Sequence, residues 1–231
     1  MDRKDAETMN EKQLVGEKAA EYIKDGMVIG LGTGSTVFYT IQRISQLIED
    51  GLSIRGVPTS IETELLAKKL HIPLVDLTDI THIDLAIDGA DQFTKELDLI
   101  KGGGGALLRE KIIANAADQF IVVADSTKIA NHLGGFPLPV EVVPFGIQLT
   151  IEHIKKLGGE PVVRTTNDKP FLTDNGNYIV DCAFSEIKKP IKLEKELNMI
   201  PGVVENGLFT GRADLIISLD KDKQLYFHTA R

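Results

Sequence analysis

Two clusters of glycine constrain this chain more than any other feature. Seven of its 21 glycines fall in two short segments: Gly30, Gly32 and Gly34 in GLGTGST, and Gly102 to Gly105 in KGGGG. The first follows a short apolar run, Met27 to Leu31, and precedes Val37, Phe38, Ile41, Ile44, Leu47 and Ile48, which repeat at helical spacing until Gly51. That is strand, glycine turn, helix. An earlier helical pattern carries Leu14, Val15, Ala19, Tyr22 and Ile23. A strand over Ser53 to Val57 then leads through Pro58 into a helix, where Thr59 and Glu62 have capping-box spacing and Ile61, Leu65, Leu66 and Leu70 form the apolar face. Apolar strands at Leu74 to Leu77 and Ile83 to Ile87 precede the second glycine segment, a helix over Ala106 to Ala117 and a strand over Phe120 to Ala124. Strands alternating with helices predict an α/β domain with a largely parallel sheet.

The texture changes near residue 131, where NHLGGFPLPVEVVPFG brings tandem glycines and three prolines. A domain boundary there separates a large unit from a smaller one that follows it. The smaller one, at about 70 residues, is near the lower limit for independent stability. Within it the sequence predicts a helix (Ile147 to Leu157), a strand (Pro161 to Arg164), a hairpin turn at Asn175-Gly176 and a helix (Ile191 to Leu197). The end of the chain reads as a buried strand, a charged turn and an edge strand.

Composition narrows the partners. The net charge of −8 and a pI near 5.2 offer no basic stripe for nucleic acid. No apolar run reaches the roughly 20 residues of a spanning helix, so no membrane role is expected. MDRKDAETMNEKQ lacks the apolar core of a secretory signal, and the single Cys182 reads as a small buried residue that makes no internal disulfide. The cytoplasm is the default compartment.

The first glycine turn fails the dinucleotide fingerprint, because Ser35 stands where G-x-G-x-x-G needs glycine, and it lacks the Gly-Lys-Ser/Thr of a Walker loop. What remains is a helix N-terminus with backbone N–H groups and the hydroxyls of Thr33, Ser35 and Thr36. It suits a phosphate monoester, or is simply a capped turn. IDGAD places Asp88 and Asp91 at the carboxyl end of a strand, the ligand-binding end of an open α/β sheet. The pair could bind metal, share a proton or hold sugar hydroxyls, or form a solvated acidic turn. In KGGGGALLREK, apolar flanks argue against a flexible linker; Lys101 stands at the loop mouth and Glu110 on the following helix. Alone, Glu110 and Lys128 (in ADSTK) read first as surface residues. The five histidines show no H-x-H or H-E-x-x-H spacing, and no G-x-S-x-G supports a serine nucleophile.

Together, GLGTGST, IDGAD, IKGGGGALLREK, ADSTK and FPLPVEVVPFG, with TDNGNYIVDC, IPGVVENGLF and GRAD behind them, closely resemble the ribose-5-phosphate isomerase A family. The resemblance implies a Rossmann-like, mostly parallel sheet domain over residues 1–131 and 206–231, with a smaller α/β domain inserted over 132–205. It implies a cofactor-free and metal-free aldose-ketose isomerase of the non-oxidative pentose phosphate pathway, acting on a small sugar phosphate and assembling as a homodimer or homotetramer. Carried over residue by residue, Glu110 is the proton acceptor, with Asp88 and Lys101 as further catalytic groups. Substrate-binding positions are Thr33, Gly34, Ser35, Thr36, Asp88, Gly89, Ala90, Asp91, Lys101, Gly102, Gly103, Gly104 and Lys128. Lys12, in a weaker-matching stretch, resembles a phosphate-contacting lysine. Gln92 departs from the family, where an acidic residue is common. Two rivals remain at this stage: a nicotinamide-dependent oxidoreductase, disfavoured by Ser35, and a sugar-phosphate sensor, which would need no Glu110.

Overall fold

The computed structural model describes residues 3–220 and 222–229. In chain order, its first elements are α1 (Arg3–Ala20), β1 (Val28–Leu31), α2 (Val37–Glu49), β2 (Arg55–Pro58), α3 (Ile61–Lys69) and β3 (Ile83–Gly89). Next come β4 (Gln92–Phe93), β5 (Leu99–Ile100), α4 (Leu107–Ala116), β6 (Ala117–Val123), β7 (Leu138–Val142), α5 (Ile147–Lys155) and β8 (Glu160–Val163). The rest are β9 (Thr165–Thr166), β10 (Lys169–Pro170), β11 (Tyr178–Ala183), α6 (Pro190–Asn198), β12 (Val203–Asn206), β13 (Leu208–Phe209), β14 (Leu215–Leu219) and β15 (Leu225–Thr229).

Two compact units emerge. Unit 1 comprises Met1–Ala90, Arg109–Lys128 and Arg212–Arg231. Its six-stranded sheet has the order β15-β14-β6-β3-β1-β2 and is parallel except for β15, which pairs antiparallel with β14 at one edge. The expected strand, charged turn and edge strand are thus present, with Lys221, Ala230 and Arg231 outside the described residues. Strands buried on both faces carry unbroken apolar runs: Ile29, Leu31, Leu85, Ile87, Ile121, Val123 and Ile217 are all at most 1% exposed. Val37, Ile41 and Ile44 of α2 and Val15 and Ala19 of α1 complete this core at helical spacing. Each such aliphatic side chain contributes about 1.5–3 kcal/mol. Because β1 lies between β2 and β3, the strand order reverses at β1/β3, and the loops leaving those two strands flank a topological switch point.

Two expectations for unit 1 need correction. Leu74 to Leu77 is not a strand: Leu74 makes one bridge to Gly56, after which Asp76 Oδ1 accepts from the Thr78 N–H at 2.9 Å and starts a short 3-10 turn. On α3, Ser60 rather than Thr59 is the N-cap, accepting from the Thr63 N–H at 3.0 Å. This helix buries Thr63 and Ala67, while Ile61 and Leu65 are exposed.

Unit 2 comprises Asp91–Leu108 and Ile129–Gly211. An antiparallel sheet of order β12-β7-β11-β8 shares an apolar core with α5 and α6 through Leu138, Val140, Val142, Ile154, Val180 and Leu197. Cys182 lies in the same core, as expected, and burial beside Asp181 pushes its thiol up to about 12. A three-stranded sheet, β13-β5-β4, fixes the extent of the unit. Antiparallel pairing of Leu208 with Ile100 and Phe209 with Leu99 brings residues 91–108 and 206–211 into it, so it is larger than the 132–205 that the resemblance implies. The Asn175-Gly176 turn forms, with Gly176 at φ +77° and the Thr173 N–H donating to the Asn177 carbonyl at 2.9 Å. A second hairpin, β9–β10, turns through Asn167 and Asp168, both at positive φ. Among the described residues no helix is long and apolar enough to cross a membrane.

Candidate active site

In unit 1 the turn after β1 is tied to the end of β3 and to α3. The Gly32 N–H donates to the Ile87 carbonyl at 3.0 Å, and the Thr33 N–H to Asp88 Oδ1 at 3.0 Å. Gly32 passes so close to β3 that a Cβ there would lie 2.3 Å from Asp88 Oδ1 and 2.6 Å from Asp88 Cα. The same carboxylate oxygen accepts from the Gly89 N–H at 2.7 Å, and Asp88 is 3% exposed. Two backbone donors aimed at one oxygen of this buried carboxylate fix its orientation.

Thr33 turns its hydroxyl away from the helix tip, toward Thr59, Ser60 and Thr63 at 2.7, 2.8 and 3.1 Å. Thr63 in turn donates to the Gly32 carbonyl at 2.9 Å. A hydroxyl cluster at the start of α3 therefore holds the turn from behind. Gly34 and Ser35 remain exposed at the N-terminus of α2, where the Phe38 and Tyr39 N–H groups donate to the Gly34 and Thr36 carbonyls at 3.0 and 3.2 Å and the positive end of the helix dipole faces the tip. Lys12 of α1 reaches this tip, its Nζ donating to Ser35 Oγ at 2.9 Å. Lys12, Ser35, Phe38, Tyr39, Glu62, Thr63 and neighbours line a cavity of about 500 Å³. The tip thus concentrates N–H dipoles, a hydroxyl and an ammonium, as an anion site requires.

Two further expected residues belong to unit 1. Glu110, in the first turn of α4, is 5% exposed, which removes the reading of a solvated surface glutamate. Lys128 follows β6 in a turn organised by Asp125, whose Oδ1 accepts from the N–H and hydroxyl of Thr127 and whose carbonyl accepts from the Lys128 N–H. Sequence reasoning missed the support for this turn: Glu11, beside Lys12 on α1, accepts from Ser126 Oγ at 2.7 Å.

In unit 2, Asp91 and the second glycine loop are joined. The Asp91 N–H donates to the Ile100 carbonyl at 2.9 Å, and Asp91 Oδ2 accepts from the Gly103 N–H at 2.7 Å. Lys101 is 2% exposed; its N–H donates to the Gly207 carbonyl at 2.8 Å, and its ammonium lies 5.3 Å from the centroid of the Phe209 ring. The loop turns back through Gly105, whose N–H donates to the Gly102 carbonyl at 2.9 Å. Gln92, the departure noted in the sequence, uses its Oε1 to accept from the Gly134 N–H at 2.9 Å. Arg164 also contacts this loop and is held in turn by Asp181, and neither was anticipated; the one hint was an arginine inside the apolar stretch PVVRTT. Among the described residues no group of three or more His, Cys, Asp or Glu side chains is arranged to hold a metal ion.

Asp88, Gly89, Ala90 and Glu110 thus belong to unit 1 with Thr33 to Thr36 and Lys128, whereas Asp91 and Lys101 to Gly104 belong to unit 2. The chain crosses from one unit to the other inside IDGAD, between Ala90 and Asp91, and returns between Leu108 and Arg109, one residue before Glu110.

Comparison with known proteins converges on one family. Residues 55–223 match the family model for ribose 5-phosphate isomerase A (phosphoriboisomerase A). A ribose-5-phosphate isomerase A from Bacillus mycoides is 54% identical over 202 residues, covering 87% of this chain and 91% of that protein. Ribose 5-phosphate isomerase from Plasmodium falciparum superposes with a TM-score of 0.92 at 39% identity, covering 96% of this chain and 98% of that one. A D-ribose-5-phosphate isomerase in complex with phospho-erythronic acid gives a TM-score of 0.92 at 40% identity, over 95% and 98% of the two chains. With a glycine turn at the switch point, buried acidic residues and a model match across most of its length, this chain belongs to the ribose 5-phosphate isomerase A family.

Proposed function

We propose that Glu110 is the base of this enzyme, moving one proton between C2 and C1 of an open-chain sugar phosphate. The chain is an isomerase that interconverts ribose 5-phosphate and ribulose 5-phosphate, a reaction of the non-oxidative pentose phosphate pathway. The observation that carries the role assignment is the burial of three ionisable groups, Asp88, Lys101 and Glu110, at 3%, 2% and 5% exposure. Keeping such groups from water is costly; the equally buried Glu141 and Asp125 are used by the turns at 173–177 and 126–128, whereas Asp88, Lys101 and Glu110 stand at the family's motif positions.

In the forward direction the carboxylate of Glu110 removes the C2 proton of the aldose, leaving an enediolate; that proton exchanges with solvent on Glu110, which then protonates C1 to form the ketose. Asp88, oriented by the Thr33 and Gly89 N–H groups, assists ring opening and moves the proton between O1 and O2. The ammonium of Lys101 stabilises the negative charge that develops on those oxygens. Asp91, itself held by the Gly103 N–H, and the N–H groups of Gly102 and Gly104 hold the sugar hydroxyls. The phosphate sits on the tip formed by Gly34, Ser35 and Thr36, with Lys12 and Lys128 supplying charge. Holding that remote group aligns C1 and C2 with the base, which turns binding into rate. Phospho-erythronic acid, bound by one structural relative, fits the scheme: its planar carboxylate presents two oxygens, as an enediolate does. The proposal is completed by a homodimer or homotetramer acting in the cytoplasm without a cofactor. Phe145 and Met199, 93% and 81% exposed, are apolar side chains that assembly could cover.

The test is Glu110→Gln, which keeps shape and removes the base. Turnover should fall by roughly 10²–10⁴-fold with KM changed only a few-fold. A variant within about threefold of the normal rate would remove Glu110 from this role.

A further inference from the structure

The glycine loop of unit 2 has an anchor that the chemistry above does not use. Arg164, between β8 and β9, donates from Nη1 to the carbonyl oxygens of Gly102 at 3.2 Å and Gly103 at 2.9 Å. Its remaining donors form a fork on Asp181 of β11, Nε to Oδ2 at 2.8 Å and Nη2 to Oδ1 at 2.5 Å. The guanidinium carbon lies 5.6 Å from the Phe171 ring centroid, and that ring fills the space beside Gly105, where a Cβ would come within 2.4 Å of it. A planar, permanently charged group is thereby held from three directions.

Peptide geometry gives this anchor a consequence. The carbonyl of Gly102 and the N–H of Gly103 belong to one trans peptide plane and point in opposite directions. Its oxygen rests on Arg164; its N–H rests on Asp91 Oδ2 at 2.7 Å. Guanidinium and carboxylate therefore grip the two ends of one rigid plane. In the next plane the Gly103 oxygen is again on Arg164, so the Gly104 N–H points away from the guanidinium. A run of four glycines has no side chains of its own to select these orientations.

We propose that Arg164 is a positioning residue for the isomerase reaction, holding two successive glycine peptides so that Asp91 and the loop N–H groups face the sugar. The proposal rests on the reading of Asp91 and Lys101 to Gly104 as sugar-binding. Asp181 and Phe171 orient Arg164 in turn.

Arg164→Lys keeps the charge beside Asp181, yet a lysine cannot serve two carbonyls and a carboxylate fork together. Its melting temperature should stay close to wild type while kcat/KM for ribose 5-phosphate drops by about 10–100-fold, mostly in kcat. Millimolar methylguanidinium should restore several-fold activity to Arg164→Ala and none to Asp91→Asn; if Arg164→Ala does not fold, the lysine variant decides. In an Asp91→Asn background, Arg164→Lys should cost less than about threefold, because what it positions is already lost. Near-normal kcat in Arg164→Lys beside a crippled Asp91→Asn overturns the proposal alone. So does the same loss from Arg164→Lys in both backgrounds. Near-normal activity in Asp91→Asn overturns the sugar-binding reading and this proposal with it.

Discussion

The two glycine loops solve one problem in different ways. The turn of unit 1 is fixed by neighbours rigid in themselves: β3 through Ile87 and Asp88, and the hydroxyl cluster of Thr59, Ser60 and Thr63 on α3. The loop of unit 2 is fixed by side chains acting at a distance in sequence, with Arg164 on its carbonyls and Asp91 on one N–H. Glycine has a different task in each. At Gly32 it permits backbone contact with a strand; at Gly103 it permits contact with the end of a side chain that can rotate. On the proposed reading, the unit 1 turn receives the constant phosphate and can be built into the scaffold, whereas the unit 2 loop receives the reacting sugar carbons and gains from side-chain grips that set donor directions.

The difference predicts unequal responses to one methyl group. Gly32→Ala should be the most damaging, since its Cβ would meet Asp88 Cα at 2.6 Å and neither strand can yield. The expected cost is about 3 kcal/mol in stability, the upper end for overpacking, with activity down on the order of 100-fold. Urea unfolding and initial-rate assays on the same preparation measure both. Gly103→Ala comes next. Its Cβ would lie 2.6 Å from Asp91 Oδ1, a carboxylate that can swing aside, so stability should stay within about 1 kcal/mol while kcat/KM falls roughly tenfold. Equal losses of stability in the two variants would erase the distinction.

Much of unit 1 was legible because its signals are local. The apolar runs of β1 and β6 and the period of α2 state their own burial, and the glycine turn between β1 and α2 needs no distant partner to be recognised. The cap of α3 lies one residue beyond the expected Thr59: both residues offer a hydroxyl, and it is Ser60, with extended backbone, whose oxygen accepts from the Thr63 N–H. Unit 2 was harder. Composition changes at residue 131, but the unit is defined by Leu99–Ile100 pairing with Leu208–Phe209, more than a hundred residues away. Arg164 reaches Gly103 across 61 residues, and Lys12 reaches Ser35 across 23. No local periodicity reports such contacts, so the motifs indicated which residues matter and not what holds them.

The smallest effect concerns the strand that feeds the second loop. Asp98, beside β5, has its carboxyl raised above the ordinary range by burial first, then by repulsion from Glu96 and Glu194, against one hydrogen bond from the Gly211 N–H. The folded state therefore binds the proton more tightly than the unfolded chain does. Its contribution favours folding at low pH and is lost as pH rises from about 3.8 through the raised value. Asp98→Asn should stabilise the protein at neutral pH by less than about 1 kcal/mol and flatten that part of the pH profile. Thermal melts from pH 4 to pH 8 would show it, and an unchanged profile would mean that Asp98 titrates normally.

Proton transfer by a buried carboxylate is the central claim, and the fate of one hydrogen tests it. Ribose 5-phosphate turned over in deuterated water should yield ribulose 5-phosphate carrying solvent deuterium at C1, with the C2 position of recovered aldose exchanging as the reaction reverses. If substrate labelled with deuterium at C2 instead delivered its label to C1 complete and undiluted by ordinary water, the hydrogen would have moved as hydride, and the role assigned to Glu110 would be wrong.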